Sequence, residues 1–122
     1  MKILLVEDDP FFQKFYFFKL REKQFEVEIA KDGVEAMQFV KQAIPDVILL
    51  DLIMPNKDGF EVLQELAADP NLKQIPVLVF STLSQEADVV KAKQLGARDY
   101  VNKSFFDFDS LLIKIQSVMT HH

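Results

Sequence analysis

The chain has 122 residues, with 14 Lys+Arg against 19 Asp+Glu, a formal net charge of −5, and 49% hydrophobic residues. That length and balance fit one folded domain with a real core, and exclude both a two-domain protein and a disordered chain. The acid excess argues against nucleic acid as the main partner, and the lack of cysteine removes disulfides, thiolate metal sites and a cysteine nucleophile.

No apolar run approaches the roughly 20 residues of a membrane span. The opening Met1-Lys2-Ile3-Leu4-Leu5-Val6 is too short for a signal peptide, since three acids follow at once. The expectation is an intracellular, cytoplasmic domain over residues 1–120, with no membrane partner. Both histidines are at the end, His121-His122, which reads as the remnant of a purification tag over 121–122. With that pair set aside, no histidine is available for metal binding or general base work.

In chain order, Ile3–Val6 fits a first short strand, and Asp9-Pro10 signals a helix start, Asp as cap and Pro in the first turn, for a helix over 10–23. Val27–Ala30 fits a second strand, and Lys31-Asp32-Gly33 a turn into a helix carrying Val34, Met37, Val40 and Ile44 before Pro45. Val47–Leu50 is apolar at every position, as is Val77–Phe80, so both fit strands buried on two faces in the middle of a parallel sheet. Between them, Phe60, Leu63, Leu66 and Ala67 keep helical spacing. Ala87, Val90 and Ala97 bracket a fourth helix that Gly96 can end. Tyr100–Val101 is a fifth strand, and Leu111, Leu112, Ile115, Val118 and Met119 form the apolar stripe of a last helix. Strand–helix repeated five times predicts an α/β fold: a doubly wound, five-stranded parallel sheet with helices on both faces.

Ligands of such sheets bind beyond the carboxyl ends of the strands. The first strand is followed by Glu7, Asp8 and Asp9, the third by Asp51, the fourth by Ser81 and Thr82, the fifth by Asn102 and Lys103. Asp9 reads as a simple helix cap, Ser81 also as a cap, Lys103 as a surface lysine, and Glu7 and Asp8 as loop charges. Asp51 resists that treatment: a carboxylate ending a buried strand and facing two others is repelled strongly at low dielectric. A divalent cation relieves that repulsion, and oxygen ligands alone select Mg²⁺ or a similar hard ion. Carboxylates, a hydroxyl and an amine together suit phosphoryl chemistry.

Leu5-Val6-Glu7-Asp8-Asp9, Val47-Ile48-Leu49-Leu50-Asp51-Leu52-Ile53-Met54-Pro55, Asp58-Gly59, Phe80-Ser81 and Tyr100-Val101-Asn102-Lys103 resemble the receiver domain of two-component response regulators, of the chemotaxis-regulator kind, over essentially residues 1–120. The resemblance implies a flavodoxin-like (βα)5 fold with strand order 2-1-3-4-5. It implies that Asp51 accepts a phosphoryl group from a sensor histidine kinase or phosphotransfer protein. Glu7, Asp8, Asp51 and the backbone carbonyl of Ile53 would hold Mg²⁺, Lys103 would bind a phosphoryl oxygen, and Ser81 would supply the hydroxyl. Tyr100 would be the switch aromatic, turning inward as Ser81 moves. The fourth helix, fifth strand and fifth helix would form the output surface for a downstream effector protein. Such a protein is a signalling switch that promotes its own phosphorylation and dephosphorylation, not an enzyme in the ordinary sense.

The sequence departs from the family after the lysine, where Ser104 stands in place of the usual cis-bonded Pro. A cis bond before a non-proline residue costs about 2.5–4 kcal/mol, so a trans Lys103–Ser104 peptide is expected. The first helix is crowded with rings: Phe12, Phe15, Tyr16 and Leu20 form a core stripe, Phe11 and Phe18 lie one ridge over, and Phe17 points elsewhere. The surplus suggests either exposed rings around a wide core contact or a docking surface for a kinase or a second copy, a homodimer. Phe105, Phe106 and Phe108 form a second cluster, which either packs on the last helix or anchors an effector. Ile53 and Leu83, two residues beyond Asp51 and Ser81, are apolar, and in this family those positions influence hydrolytic water. The expectation is a long-lived acyl phosphate.

Two other functions compete. A phosphorylation-independent receiver-like interaction module is favoured only by Ser104 and opposed by the retained Glu7, Asp8, Asp51, Ser81 and Lys103. A flavin- or nucleotide-binding enzyme of the same architecture lacks a phosphate loop, because Gly33, Gly59 and Gly96 are scattered. The chain could equally be a stand-alone protein or a receiver cut from a longer regulator or hybrid kinase.

Overall fold

The computed structural model describes residues 1–83, 85–104 and 107–120. Five strands alternate with five helices: β1 (Lys2–Val6), α1 (Pro10–Glu22), β2 (Glu26–Ala30), α2 (Gly33–Gln42), β3 (Val47–Leu50), α3 (Gly59–Ala68), β4 (Val77–Ser81), α4 (Glu86–Gln94), β5 (Asp99–Asn102) and α5 (Phe108–Thr120). The strands form one parallel sheet in the order β2-β1-β3-β4-β5. The chain steps from β1 to β2 on one side, then crosses back to β3 on the other. The β1/β3 boundary is therefore the switch point, and a crevice opens beyond their carboxyl ends.

The period-two alternation of each strand divides the core. Leu4, Val6, Ile48, Leu50, Val77 and Val79 face α2, α3 and α4, meeting Met37, Val40, Val62, Leu63 and Ala92. Ile3, Leu5, Val47, Leu49, Leu78 and Phe80 face α1 and α5, meeting Tyr16, Leu20, Leu111, Ile115 and Val118. β3 and β4 are buried at every position, as their unbroken apolar runs imply, while the edge strands β2 and β5 are only partly covered.

Carboxylates start four of the helices, the last being α5, where Asp107 Oδ1 accepts from the Ser110 amide at 2.8 Å. Asp9 Oδ1 accepts from the Phe11 and Phe12 amides at 2.8 and 3.4 Å, the cap expected from Asp9-Pro10. Asp58 and Glu61 form a reciprocal capping box at α3. Asp32 caps α2 through the Glu35 amide at 2.9 Å, and its other oxygen accepts from Asn56 Nδ2 at 2.8 Å. The expected cap role of Ser81 is not met: it ends β4, its Oγ accepts from the Leu83 amide, and α4 starts at Glu86 with Gln85 in the cap position. Gly96, at φ +113°, ends α4 as expected.

Several stripe assignments need correction. Phe15, expected in the core, is 42% exposed, and only Tyr16 and Leu20 of α1 are fully buried. Val34, Ile44 and Val90 lie on solvent, because the inward ridge of α2 is Gly33, Ala36, Met37 and Val40, Ile44 lies past the helix end, and α4 buries only Ala92. Phe108 packs partly buried against the α1/α5 core, whereas Phe105 and Phe106 lie outside the described residues, as do His121 and His122.

Asp32 gives a direct test. The Glu35 amide, and after it the Asn56 side chain, hold its carboxyl below the ordinary carboxylate range. A lowered folded value contributes stability that is complete above the ordinary range and is lost as pH falls through the folded value. Asp32→Ala should cost about 0.5–2 kcal/mol in urea unfolding at neutral pH. The stability gap between wild type and Asp32→Asn should narrow as the pH is taken down through the acid range.

Candidate functional site

The parallel pairing of β1 with β3 places Val6 beside Leu50, so the residues that follow, Glu7 and Asp51, leave the sheet side by side. Glu7 is 2% exposed and Asp51 8%, while Asp8 lies open to solvent. One carboxylate oxygen from each of Glu7, Asp8 and Asp51 falls within 4.8 Å of the other two, the one such acidic cluster among the described residues. β5 lies two strands away from β3, beyond β4, and sends Lys103 across to them. Its ammonium bonds Glu7 Oε1 and lies 3.1 Å from Asp51 Oδ2. Its amide donates to the Ser81 carbonyl at 2.9 Å, which ties the end of β5 to that of β4.

The backbone around Asp51 is held tightly. The Ile53 amide donates to Asp51 Oδ1 at 3.2 Å, which keeps the residue-53 backbone beside the carboxylate while the Ile53 side chain points outward. Gly59 starts α3 directly under this turn, its amide donating to the Leu52 carbonyl at 3.0 Å. A Cβ at Gly59 would sit 2.4 Å from the Asp51 carbonyl and 2.7 Å from Leu52 Cα. The Asp58-Gly59 dipeptide thus combines a helix cap with the one residue small enough to seat α3 against the strand end.

The charge balance is unfavourable as it stands. Burial pushes the Glu7 carboxyl above the ordinary carboxylate range, and the Asp51 charge pushes the same way, against the opposing pull of the Lys103 ammonium and the Asp9 amide. Three carboxylates face a single ammonium. The donor set is all oxygen, with one ligand open to solvent. That suits a hard divalent cation that keeps part of its water shell, and Glu7, Asp8, Asp51 and the Ile53 carbonyl are the groups that could hold it.

Ser81 is fully buried at the neighbouring strand end. Tyr100 is half-buried against Leu83, with its hydroxyl donating to the Leu83 carbonyl. Burial raises the Tyr100 phenol, as do the Asp88 and Asp51 charges, against a hydrogen bond with Ser81. The expected switch residues are therefore close enough to feel one another. The Lys103–Ser104 peptide is trans, as expected, since no described peptide bond is cis.

The sequence reading missed three residues of this site. Phe12 and Phe80 lie under the Lys103 ammonium, 5.2 and 5.6 Å from their ring centres, and Gln13 donates to the Glu7 carbonyl at 2.6 Å. Phe12 and Phe80 carried only an apolar signal and were indistinguishable from core. The Phe12–Lys103 contact spans most of the chain and leaves no local trace.

Removal of Lys103 leaves Glu7 buried without its partner. Lys103→Met should therefore destabilise the protein by about 3–5 kcal/mol. Adding Glu7→Gln to it should restore most of that loss in urea unfolding, a non-additive pair.

Comparisons with known proteins bear on the family and the fold. The family model for the response regulator receiver domain matches residues 3–116. The chain is 35% identical over 118 residues to the protein PilH of Pseudomonas aeruginosa, covering 97% of each. It is 34% identical over 118 residues to the DNA-binding dual master transcriptional regulator RpaA of Synechocystis, covering 97% of this chain but 48% of that protein, so it spans about half of that relative's length. Among solved structures, the receiver domain of the sensor histidine kinase PA1611 of Pseudomonas aeruginosa, with a magnesium ion in its active site cleft, superposes with TM-score 0.89 at 28% identity over 98% of both chains. No described helix is long and apolar enough to cross a membrane. With its five-stranded 2-1-3-4-5 sheet and its acidic cluster facing a lysine, the chain belongs to the response regulator receiver domains of two-component signal transduction.

Proposed function

We propose that Asp51 is the phosphoacceptor of a switch served by a sensor histidine kinase or phosphotransfer protein, and that a protein effector reads the result at α4, β5 and α5. What carries this reading is the convergence of Glu7, Asp8 and Asp51 within 4.8 Å, with the Lys103 ammonium 3.1 Å from Asp51. An Asp51 oxygen attacks the phosphorus of a phosphohistidine. The P–N bond breaks, its electron pair stays on the imidazole, and an acyl phosphate forms. Glu7, Asp8, Asp51 and the Ile53 carbonyl would hold Mg²⁺, which when bound would neutralise charge gathering on the phosphoryl oxygens. Lys103 turns from carboxylate to phosphoryl oxygen, and the Ser81 hydroxyl donates to another. The transferred group brings about −1.5 to −2 of charge near neutral pH. Tyr100 exchanges its Leu83 partner for a more inward position as Ser81 and the Leu83 segment move, which alters the α4–β5–α5 surface.

The test uses Mg²⁺ and a small phosphodonor such as acetyl phosphate. Intact-mass spectrometry should find one added phosphoryl group on wild type and none on Asp51→Asn or in excess chelator. Mg²⁺ alone should raise the thermal midpoint of wild type by mass action, and do so less for Asp8→Asn. After donor removal the phosphoprotein should persist, because Ile53 and Leu83 offer hydrolytic water no polar side chain. Rapid loss without a phosphatase would contradict that part.

The exposed rings of α1 support a contact face. Phe11 is 68% exposed, Phe18 63% and Phe15 42%, on one side of the helix. A patch of that kind marks an interaction site. Phe11→Ser with Phe18→Ser should leave the circular dichroism spectrum unchanged and weaken either kinase-dependent transfer or self-association by sedimentation. Unchanged behaviour in both would remove α1 from the contact.

A further inference from the structure

Lys103 leaves the end of β5 on a side chain with four rotatable bonds, yet only 5% of that side chain is exposed. Two carboxylates attract its ammonium, Glu7 and Asp51. Coulomb attraction alone is weakly directional and lets the head group swing between them. The ring faces supply direction. Phe12 from α1 and Phe80 from β4 each lie within 6 Å of the ammonium, at 5.2 and 5.6 Å, inside cation–π range. Tyr16 braces both rings, stacked on Phe12 at 5.9 Å and edge-on to Phe80 at 4.9 Å. Phe80 is a fully buried core residue, but Phe12 is only half-buried. Part of Phe12 is thus spent on the lysine rather than on the core.

We propose that Phe12 is a positioning residue, which with Phe80 fixes the Lys103 ammonium beside Asp51 at the point where a transferred phosphoryl oxygen must be met. The proposal rests on the reading of Asp51 as phosphoacceptor for its consequence, but not for its geometry. A leucine at position 12 fills much of the same space without offering a negative ring face. A tyrosine keeps that face.

The full chain with ¹³C-labelled lysine tests the geometry first. The Lys103 ε-methylene protons, identified by their loss in Lys103→Arg, should resonate upfield of the position of a lysine in water through the ring currents. That shift should shrink in Phe12→Leu and return in Phe12→Tyr. Phosphorylation by acetyl phosphate with Mg²⁺ should slow about threefold to thirtyfold in Phe12→Leu, the range of a partly desolvated cation–π contact, and recover in Phe12→Tyr. In a Lys103→Met background Phe12→Leu should slow nothing further. An ordinary Lys103 shift in wild type overturns the proposal, whether or not Phe12→Leu folds. So does a Phe12→Leu effect of equal size with and without Lys103. If the ring-current pattern is as described but no variant, wild type included, is phosphorylated, the positioning stands and the phosphoacceptor reading falls.

Discussion

Repulsion among carboxylates forced together at the carboxyl end of a parallel sheet is the constraint on which this molecule turns. The side-by-side exit of β1 and β3 brings Glu7 and Asp51 into contact range, and Asp8 follows. Burial sharpens the conflict, since it holds the Glu7 carboxyl above the ordinary range even with an ammonium against it. A fold shaped by stability alone would replace such a cluster with apolar side chains. Here one lysine, drawn from the far side of β4, offsets part of the charge, and a hard cation is the natural remainder. The resulting site is under-neutralised and open on the Asp8 side.

Everything near the site serves to hold these groups in place. Gly59 lets α3 approach the Asp51 carbonyl, and the Asp58 cap stops the helix from drifting. Asn56, at φ 68°, reaches back to the Asp32 cap and so links the loop after β3 to the start of α2. The Ser81 hydroxyl and the Tyr100 phenol belong to a looser layer. Their partners are the amide and carbonyl of Leu83, both on a loop rather than in a strand. Local loops rearrange at lower cost than ladders, so a rigid carboxylate cluster sits beside a more yielding layer.

The phenylalanines divide by partner rather than by spacing. On α1, Phe12 turns toward Lys103, Phe17 lies under Arg21 at 5.5 Å, Phe15 takes Lys19 at 5.8 Å, and Phe11 stacks on Phe15 at 6.2 Å. Each ring has a neighbour, yet Phe11, Phe15 and Phe18 stay largely in water. The helix therefore has two faces of similar chemistry: one in the core, one outside and flanked by cations.

The order of elements, the two fully buried central strands, the cap at Asp9, the turn at Asp32-Gly33 and the strand-end residues Glu7, Asp8, Asp51, Ser81 and Lys103 could all be read from the sequence. Each depends on local spacing or on the rule that parallel sheets carry chemistry at their carboxyl ends. Which apolar residues of α1 and α4 face inward could not be read, because both helices carry apolar side chains on more than one ridge and only the position of the sheet chooses between them. Tertiary structure alone decided that Phe12 and Phe80 lie under an ammonium, that Gly59 touches the Asp51 backbone and that Asn56 meets Asp32. These contacts depend on how loops and elements fold back on one another, and they carry no period for a sequence to display.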